Sequence, residues 1–80
     1  MKREEILAKI QEILAEVIDN ESLVLTETST PANVEDWDSL AHFQLIMELQ
    51  NEYGIKISAT EIQSWQNVAD IVDLISEKVK

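Results

Sequence analysis

Ser39 is the residue whose position most strongly suggests chemistry. It directly follows Asp38, where an acidic stretch gives way to an apolar run with helical spacing. Aspartate is a favoured N-cap because its carboxylate accepts a hydrogen bond from a first-turn N–H, and Ser39 would then take the first helical position. The unpaired N–H groups and the dipole at a helix N-terminus favour negative charge. A phosphate ester on this hydroxyl would therefore be electrostatically favourable.

Two other interpretations of Ser39 remain open at this point. It is an ordinary helix-start serine if nothing modifies it. It could also act as a nucleophile with His42, which lies three residues further on and shares its helix face. A hydrolase would need an orienting group and an oxyanion hole as well. The glycines of a nucleophile elbow are absent, because Gly54 is the only glycine of the chain. We expect His42 to be a partly exposed histidine near a docking surface.

A cluster of acids just before Ser39 raises the question of a metal site. Glu35, Asp36 and Asp38 could group around Ca²⁺ or Mg²⁺. The spacing of a calcium-binding loop and its turn glycine are missing. We therefore interpret these residues as the solvated end of an acidic loop and predict no metal.

The hydrophobic pattern predicts the elements that position Ser39. Apolar residues recur at helical spacing in three long segments, and capping residues mark a fourth, short one. The predicted helices are residues 3–18, residues 39–53 ending before Gly54, a short helix at residues 59–64 after the Ser58–Glu61 capping box, and a last helix after the N-cap Asn67. The fold class is therefore all-α, a bundle of three main helices plus one short helix.

A long loop, residues 20–37, joins the first two helices. It has no clear period, and Thr30-Pro31 disfavours helix there. We expect the loop to be pinned to the core by its apolar residues, which are Leu23, Val24, Leu25 and Val34. Trp37 and Trp65 are predicted to be packing residues, one at the loop end and one before the last helix.

The second helix should present three different strips of side chains. The polar strip consists of Gln44, Glu48, Asn51 and Glu52, and the core strip of Leu45, Ile46, Leu49 and Tyr53. Leu40, Phe43 and Met47 form a third strip at the edge of the apolar face.

Length and charge limit the possible functions. Eighty residues predict one domain, residues 1–80, and the chain contains no cysteine. The formal net charge is −10, and no Lys or Arg occurs between Gln11 and Ile55. This field repels nucleic acid and would attract basic partner surfaces. No apolar run approaches the roughly 18 residues of a membrane span. The N-terminus carries acids and an amphipathic period, which is not typical of a secretion signal. We expect a cytoplasmic monomer.

"DSL" (Asp38-Ser39-Leu40) followed by "AHFQLIMELQNEYGIKI" resembles the acyl carrier protein family. The resemblance covers most of the chain, with the predicted helices in the family's order. It implies that Ser39 carries a covalent 4′-phosphopantetheine derived from coenzyme A, whose thiol holds acyl or aminoacyl groups as thioesters. It implies that Asp38 and Leu40 belong to the motif around this cofactor. The implied docking residues are Leu40, Phe43, Gln44, Met47 and Glu48.

The same resemblance implies a carrier without catalytic activity of its own. Its expected partners are a phosphopantetheinyl transferase, an acyl-activating ligase or acyltransferase, and synthase-type enzymes. The second helix is poorer in acids than is common for fatty acid synthesis: Ala41, Gln44, Gln50 and Asn51 stand where acids are frequent. We therefore expect a specialised pathway that makes a polyketide, a peptide-like product or a modified polysaccharide. The alternatives are a general fatty acid carrier and an unmodified acidic helical adaptor.

Overall fold

The structure is a computed structural model that describes residues 2–79. Four helices and no strand are found in this part of the chain. They are α1 (Arg3–Val17), α2 (Ser39–Tyr53), α3 (Ala59–Gln63) and α4 (Val68–Lys78). These bounds agree with the predicted helices to within one residue, because Ile18 and Ser64 are C-caps rather than helical residues. The all-α prediction is confirmed.

The predicted capping residues set the helix ends. The side chain of Asn67 accepts a hydrogen bond from the Asp70 N–H at the start of α4, and Ser58 and Glu61 form a reciprocal capping box at α3. Gly54 ends α2 in the left-handed conformation, at a φ of 63°. A residue without a Cβ adopts this conformation at low cost. Local sequence signals therefore determine where these elements begin and end.

The core lies where α1 packs against α2 and α4. Each helix contributes its apolar stripe, and the burial of these side chains supplies most of the favourable free energy of folding. The fully buried side chains are Ile6, Ile10, Leu14, Leu45, Leu49, Val68, Ile71, Val72 and Ile75. Tyr53 is half-buried at the edge of this core, and its burial raises the pKa of the phenol.

The short helix is tied to the last one by an ion pair. The Nζ atom of Lys78 lies 3.2 Å from a carboxylate oxygen of Glu61. The Ser58 backbone N–H and Lys78 together lower the pKa of Glu61. The pair links α3 to the C-terminal end of α4, and no residue of α3 is fully buried.

The loop between α1 and α2 is held by specific contacts rather than by secondary structure. The Leu25 N–H donates to Oε1 of Gln11 at 2.8 Å. Carbonyls of Glu27 and Ser29 accept hydrogen bonds from the first N–H groups of α4, at Ala69 and Val68. These bonds satisfy helix-end donors that would otherwise lack a partner.

Arg3 adds a salt-bridge contact to the same loop. Its guanidinium pairs with the carboxylates of Glu27 and Asp73, and these two partners raise its pKa. The ion pairs join the start of α1, the loop and α4. All three groups are substantially exposed, so the pairs fix geometry more than they add stability.

One prediction about the loop is wrong. Leu23 and Leu25 are buried and Val34 packs against the core, as expected, but Val24 is 74% exposed. Burial alternates from Leu23 to Leu25, the pattern expected where successive side chains point in opposite directions. Leu23 and Leu25 therefore face the core, and Val24 faces solvent.

Candidate functional site

Ser39 lies at the N-terminal end of α2, as predicted. Asp38 has an extended backbone, and its Oδ1 accepts a hydrogen bond from the Ala41 N–H at 2.9 Å, so it is the N-cap. Ser39 is the first helical residue and is exposed. The arrangement presents a hydroxyl group to solvent at a helix end that favours negative charge.

The third strip of α2, formed by Leu40, Phe43 and Met47, lies at the surface at the edge of the buried face, as the helical pattern predicted. Its side chains remain largely exposed although they are large and apolar: Leu40 is 66%, Phe43 54% and Met47 49% exposed. Exposed apolar side chains that lie together on one surface commonly mark a site of interaction.

These side chains line an open groove of about 530 Å³. The groove also includes Gln44 and Glu48 of α2 and, from the end of α1, Glu16 and Val17. The structure therefore brings together all five residues predicted for docking. The contribution of Glu16 and Val17 was not predicted. It follows from the packing of α1 against α2, which places the end of one helix beside the first turns of the other, and no local pattern in the sequence indicates it.

Three aromatic side chains meet on another side of the α2 N-terminus. Nε1 of Trp37 donates a hydrogen bond to Nδ1 of His42 at 3.2 Å. The His42 ring contacts Trp65 edge-on, with ring centroids 5.8 Å apart. Trp37 is only 3% exposed, and Trp65 packs against the core. Both tryptophans are therefore packing residues, as predicted.

His42 is partly exposed, as expected. Its ring packs between the two tryptophans and does not line the α2 groove. Its burial lowers its pKa. The ring turns this way because position 42 is one turn from the loop end that carries Trp37, and the indole N–H needs an acceptor when buried.

A Ser–His pair, a cluster of metal ligands and a membrane-spanning helix were each looked for among the described residues. Among residues 2–79, no hydrogen bond joins Ser39 to His42, whose Nδ1 is occupied by Trp37. In the same part of the chain, no three side chains of His, Cys, Asp or Glu are grouped as metal ligands would be. Nor is any described helix both long and apolar enough to span a bilayer.

Comparison with known proteins gives a consistent result. The family model described as the phosphopantetheine attachment site matches residues 5–75. The acyl carrier protein of Rubrobacter xylanophilus is 42% identical over 78 residues, covering 96% of this chain and 95% of that protein. The acyl carrier protein of Thermotoga maritima is 30% identical over 77 residues, with 96% and 95% coverage.

A solved structure agrees with these relatives. The solution structure of the holo acyl carrier protein from Geobacter metallireducens superimposes with a TM-score of 0.84, at 37% identity, over 91% of this chain and 84% of that one. The four helices, the match to the attachment-site model and the similarity to a holo-protein agree with one another. The chain therefore belongs to the acyl carrier protein family, whose prosthetic group is 4′-phosphopantetheine.

Proposed function

We propose that Ser39 bears the 4′-phosphopantetheine group and that the protein carries acyl or aminoacyl thioesters between enzymes. One observation carries this proposal. An exposed hydroxyl occupies the first position of α2, directly after the N-cap Asp38, within the region matched by the attachment-site model. A phosphopantetheinyl transferase can reach such a group without unfolding the chain.

Some other serine hydroxyls differ from Ser39 because they are engaged in hydrogen bonds. The Oγ atoms of Ser58 and Ser29 accept hydrogen bonds from the backbone N–H groups of Glu61 and Thr26, at 3.2 and 2.9 Å. Modifying them would remove a cap or a turn contact. The side chain of Ser39 forms no hydrogen bond among the described residues. A phosphodiester at Ser39 therefore breaks no side-chain hydrogen bond in this part of the chain.

The division of labour between cofactor and protein follows from the composition. The chain has no cysteine, and the bound group supplies the thiol that holds the acyl cargo. The protein supplies an anchor, a rigid bundle and a surface for partners. A tethered cargo reaches a high effective concentration at each enzyme on which the carrier docks. The protein itself catalyses no reaction in this proposal.

The docking surface in this proposal is the groove along α2. Its lining includes the apolar side chains Leu40, Phe43 and Met47 together with Gln44, and Glu16 and Glu48 add carboxylates. Partners such as an acyl-activating ligase, an acyltransferase or a synthase would present an apolar anchor flanked by basic residues. Complementary charge speeds encounter, whereas the few apolar contacts permit release, as a shuttle requires.

We also propose that these partners belong to a specialised pathway, one that makes a polyketide, a peptide-like product or a modified polysaccharide. The first turn of α2 contains no acid, and Glu48 and Glu52 are the only carboxylates in this helix. Enzymes that recognise a densely acidic helix would find fewer contacts here. General fatty acid synthesis is the alternative.

Intact mass spectrometry after incubation with coenzyme A and a broad-specificity phosphopantetheinyl transferase tests the attachment. We expect the wild-type protein to gain one phosphopantetheine, and Ser39→Ala to gain none. Ser22→Ala, which removes another exposed serine hydroxyl, is the matched control and should be modified normally. A folded wild-type protein that gains no mass would instead support the unmodified adaptor.

Loading of the holo-protein separates the two pathway assignments. A malonyl transferase of fatty acid synthesis should load it much more slowly than it loads its own carrier, because α2 offers few carboxylates. Equal loading rates would contradict the specialised assignment and leave the carrier function intact.

A further inference from the structure

Ser39 forms part of the wall of a second, smaller open cavity. We call it the aromatic notch; it is lined by Pro31, Trp37, Asp38, Ser39 and His42, and its volume is about 330 Å³. Ser39 itself forms part of its wall, whereas the docking groove includes Leu40 and Phe43 but not Ser39. A group attached to Ser39 thus meets the aromatic notch before it meets the groove.

The His42 ring in this notch is held in one orientation. Its Nδ1 accepts the Trp37 indole N–H, and the edge contact with Trp65 restricts rotation. In a neutral imidazole whose Nδ1 is an acceptor, the proton is on Nε2. The ring therefore carries a donor whose direction is fixed by two tryptophans.

The Nε2 donor has no protein partner in the described part of the chain. The Trp37 contact is the only side-chain hydrogen bond of His42 there. No buried side-chain nitrogen or oxygen among residues 2–79 lacks a hydrogen-bond partner, so Nε2 must reach solvent-accessible space. His42 is three residues after Ser39, a spacing that puts two side chains on the same face of a helix.

We propose that the aromatic notch seats the first part of the prosthetic arm, with His42 Nε2–H donating to an oxygen of the phosphodiester on Ser39. The walls formed by Pro31 and Trp37 contact the two methyl groups that follow the phosphate in pantetheine. His42 is thus a positioning residue for the arm. This inference rests on the proposed attachment at Ser39.

Seating the arm in the notch has a consequence for the rest of the molecule. The arm then leaves Ser39 on the side of Pro31 and Trp37, away from the α2 groove lined by Phe43 and Met47. The groove stays free for a docking enzyme while the arm is held. Because the donor is already oriented, little conformational freedom is lost when the phosphodiester binds.

Nuclear magnetic resonance of the holo-protein tests the seat. The apo and holo forms are first distinguished by intact mass, so that a failure of attachment is recognised separately. In the holo-protein we expect nuclear Overhauser contacts from the pantetheine methyl groups to ring protons of Pro31, Trp37 and His42. We also expect the ³¹P resonance to be displaced from its position in the urea-unfolded holo-protein.

Two variants of His42 separate positioning from packing. His42→Gln offers both an acceptor for Trp37 and an N–H donor, so the ³¹P displacement and the methyl contacts should be retained. His42→Phe keeps an aromatic ring against Trp65 but removes the donor, so the ³¹P resonance should move toward its unfolded position. Asn51→Ala, an exposed change two turns or more from the notch on α2, should leave both signals unchanged.

Each outcome has a definite meaning. Absence of any mass gain would reject the attachment and, with it, the seat. A mass gain with methyl contacts only to Leu40, Phe43 or Met47, or with no contacts to the protein, would reject the seat and keep the attachment. A ³¹P displacement equal in wild type and His42→Phe would reject the role of His42.

Discussion

At the scale of single residues, Asp38 has two roles that can be separated. Its carboxylate caps α2 through the Ala41 N–H, and its charge lies next to the hydroxyl that we propose is modified. Asparagine is as good an N-cap as aspartate but has no charge. Substitutions at this one position can therefore distinguish the cap from recognition by the transferase.

We expect Asp38→Ala to lower the free energy of unfolding by about 1 kcal/mol because the cap is lost. Asp38→Asn should keep nearly the full wild-type stability. Urea denaturation measures both values. If the phosphopantetheinyl transferase recognises the Asp38 carboxylate, Asp38→Asn should be modified more slowly than the wild type although its stability is retained. Equal losses of stability in both variants would contradict the capping role.

His42 makes stability depend on pH in a range where carboxylates contribute little. Burial lowers its pKa in the folded protein, and it is the only histidine. Below the unfolded-state pKa of about 6.5, His42 is therefore protonated more readily in the unfolded chain than in the folded protein. Stability conferred by the neutral ring is present above that pH and is lost as the pH falls toward the folded pKa.

The urea midpoint of the unmodified wild-type protein should accordingly decrease as the pH is lowered below about 6.5, the unfolded-state pKa of histidine. The midpoint of His42→Gln should change less over the same interval, because glutamine does not titrate. The difference between the two proteins isolates the histidine from the many acids. The same pH dependence in both proteins would contradict the assignment of this loss of stability to His42.

At the scale of the helices, α2 combines a buried face and an exposed apolar strip. Leu45 and Leu49 are fully buried, whereas Phe43 is 54% exposed. Burial makes large-to-small substitution costly, at about 2–5 kcal/mol for a leucine in a core. Exposed positions of the same helix are free to serve partners at little cost in stability.

For Phe43→Ala we expect a change in unfolding free energy within about 0.5 kcal/mol. If Phe43 is a docking anchor, kcat/KM of a partner enzyme should fall about tenfold, which corresponds to roughly 1.4 kcal/mol of lost binding. Asn51→Ala on the same helix is the matched control and should change neither quantity. A large loss of stability would show that Phe43 is structural.

The loop between α1 and α2 depends on a few polar contacts. One of them is made by the side chain of Gln11 in α1. Its Oε1 is the acceptor for the partly buried Leu25 N–H. Gln11→Ala should destabilise the protein by about 1–3 kcal/mol, because that N–H is left without a partner. Gln11→Glu keeps an acceptor oxygen and should recover most of the loss. Urea midpoints of both variants measure this, and equal losses would show that the hydrogen bond contributes little.

At the scale of the whole molecule, the helices follow from the sequence because their signals are local. The 3.6-residue period, the N-caps Asp38 and Asn67, and Gly54 after α2 each act within a turn or two. These features also place Ser39 at a helix start. The third strip of α2, formed by Leu40, Phe43 and Met47, follows from the same helical geometry.

The remaining features depend on contacts between distant residues. Gln11 with Leu25, Arg3 with Glu27 and Ser29 with Val68 fix the loop across separations that leave no periodic pattern. The His42 ring also packs against the distant Trp65, and the addition of Glu16 and Val17 to the groove depends on how α1 packs on α2. Tertiary packing decides these features, and no local propensity indicates them.

The measurement that tests the central claim most directly locates the prosthetic group on the chain. Digestion of the holo-protein after glutamate releases residues 36–48, in which Ser39 is the only hydroxyl side chain. We expect the whole mass gain of one phosphopantetheine on this fragment and none on the others, as determined by tandem mass spectrometry. A gain on another fragment, or an unmodified fragment 36–48 from protein that has gained the group, would contradict the account.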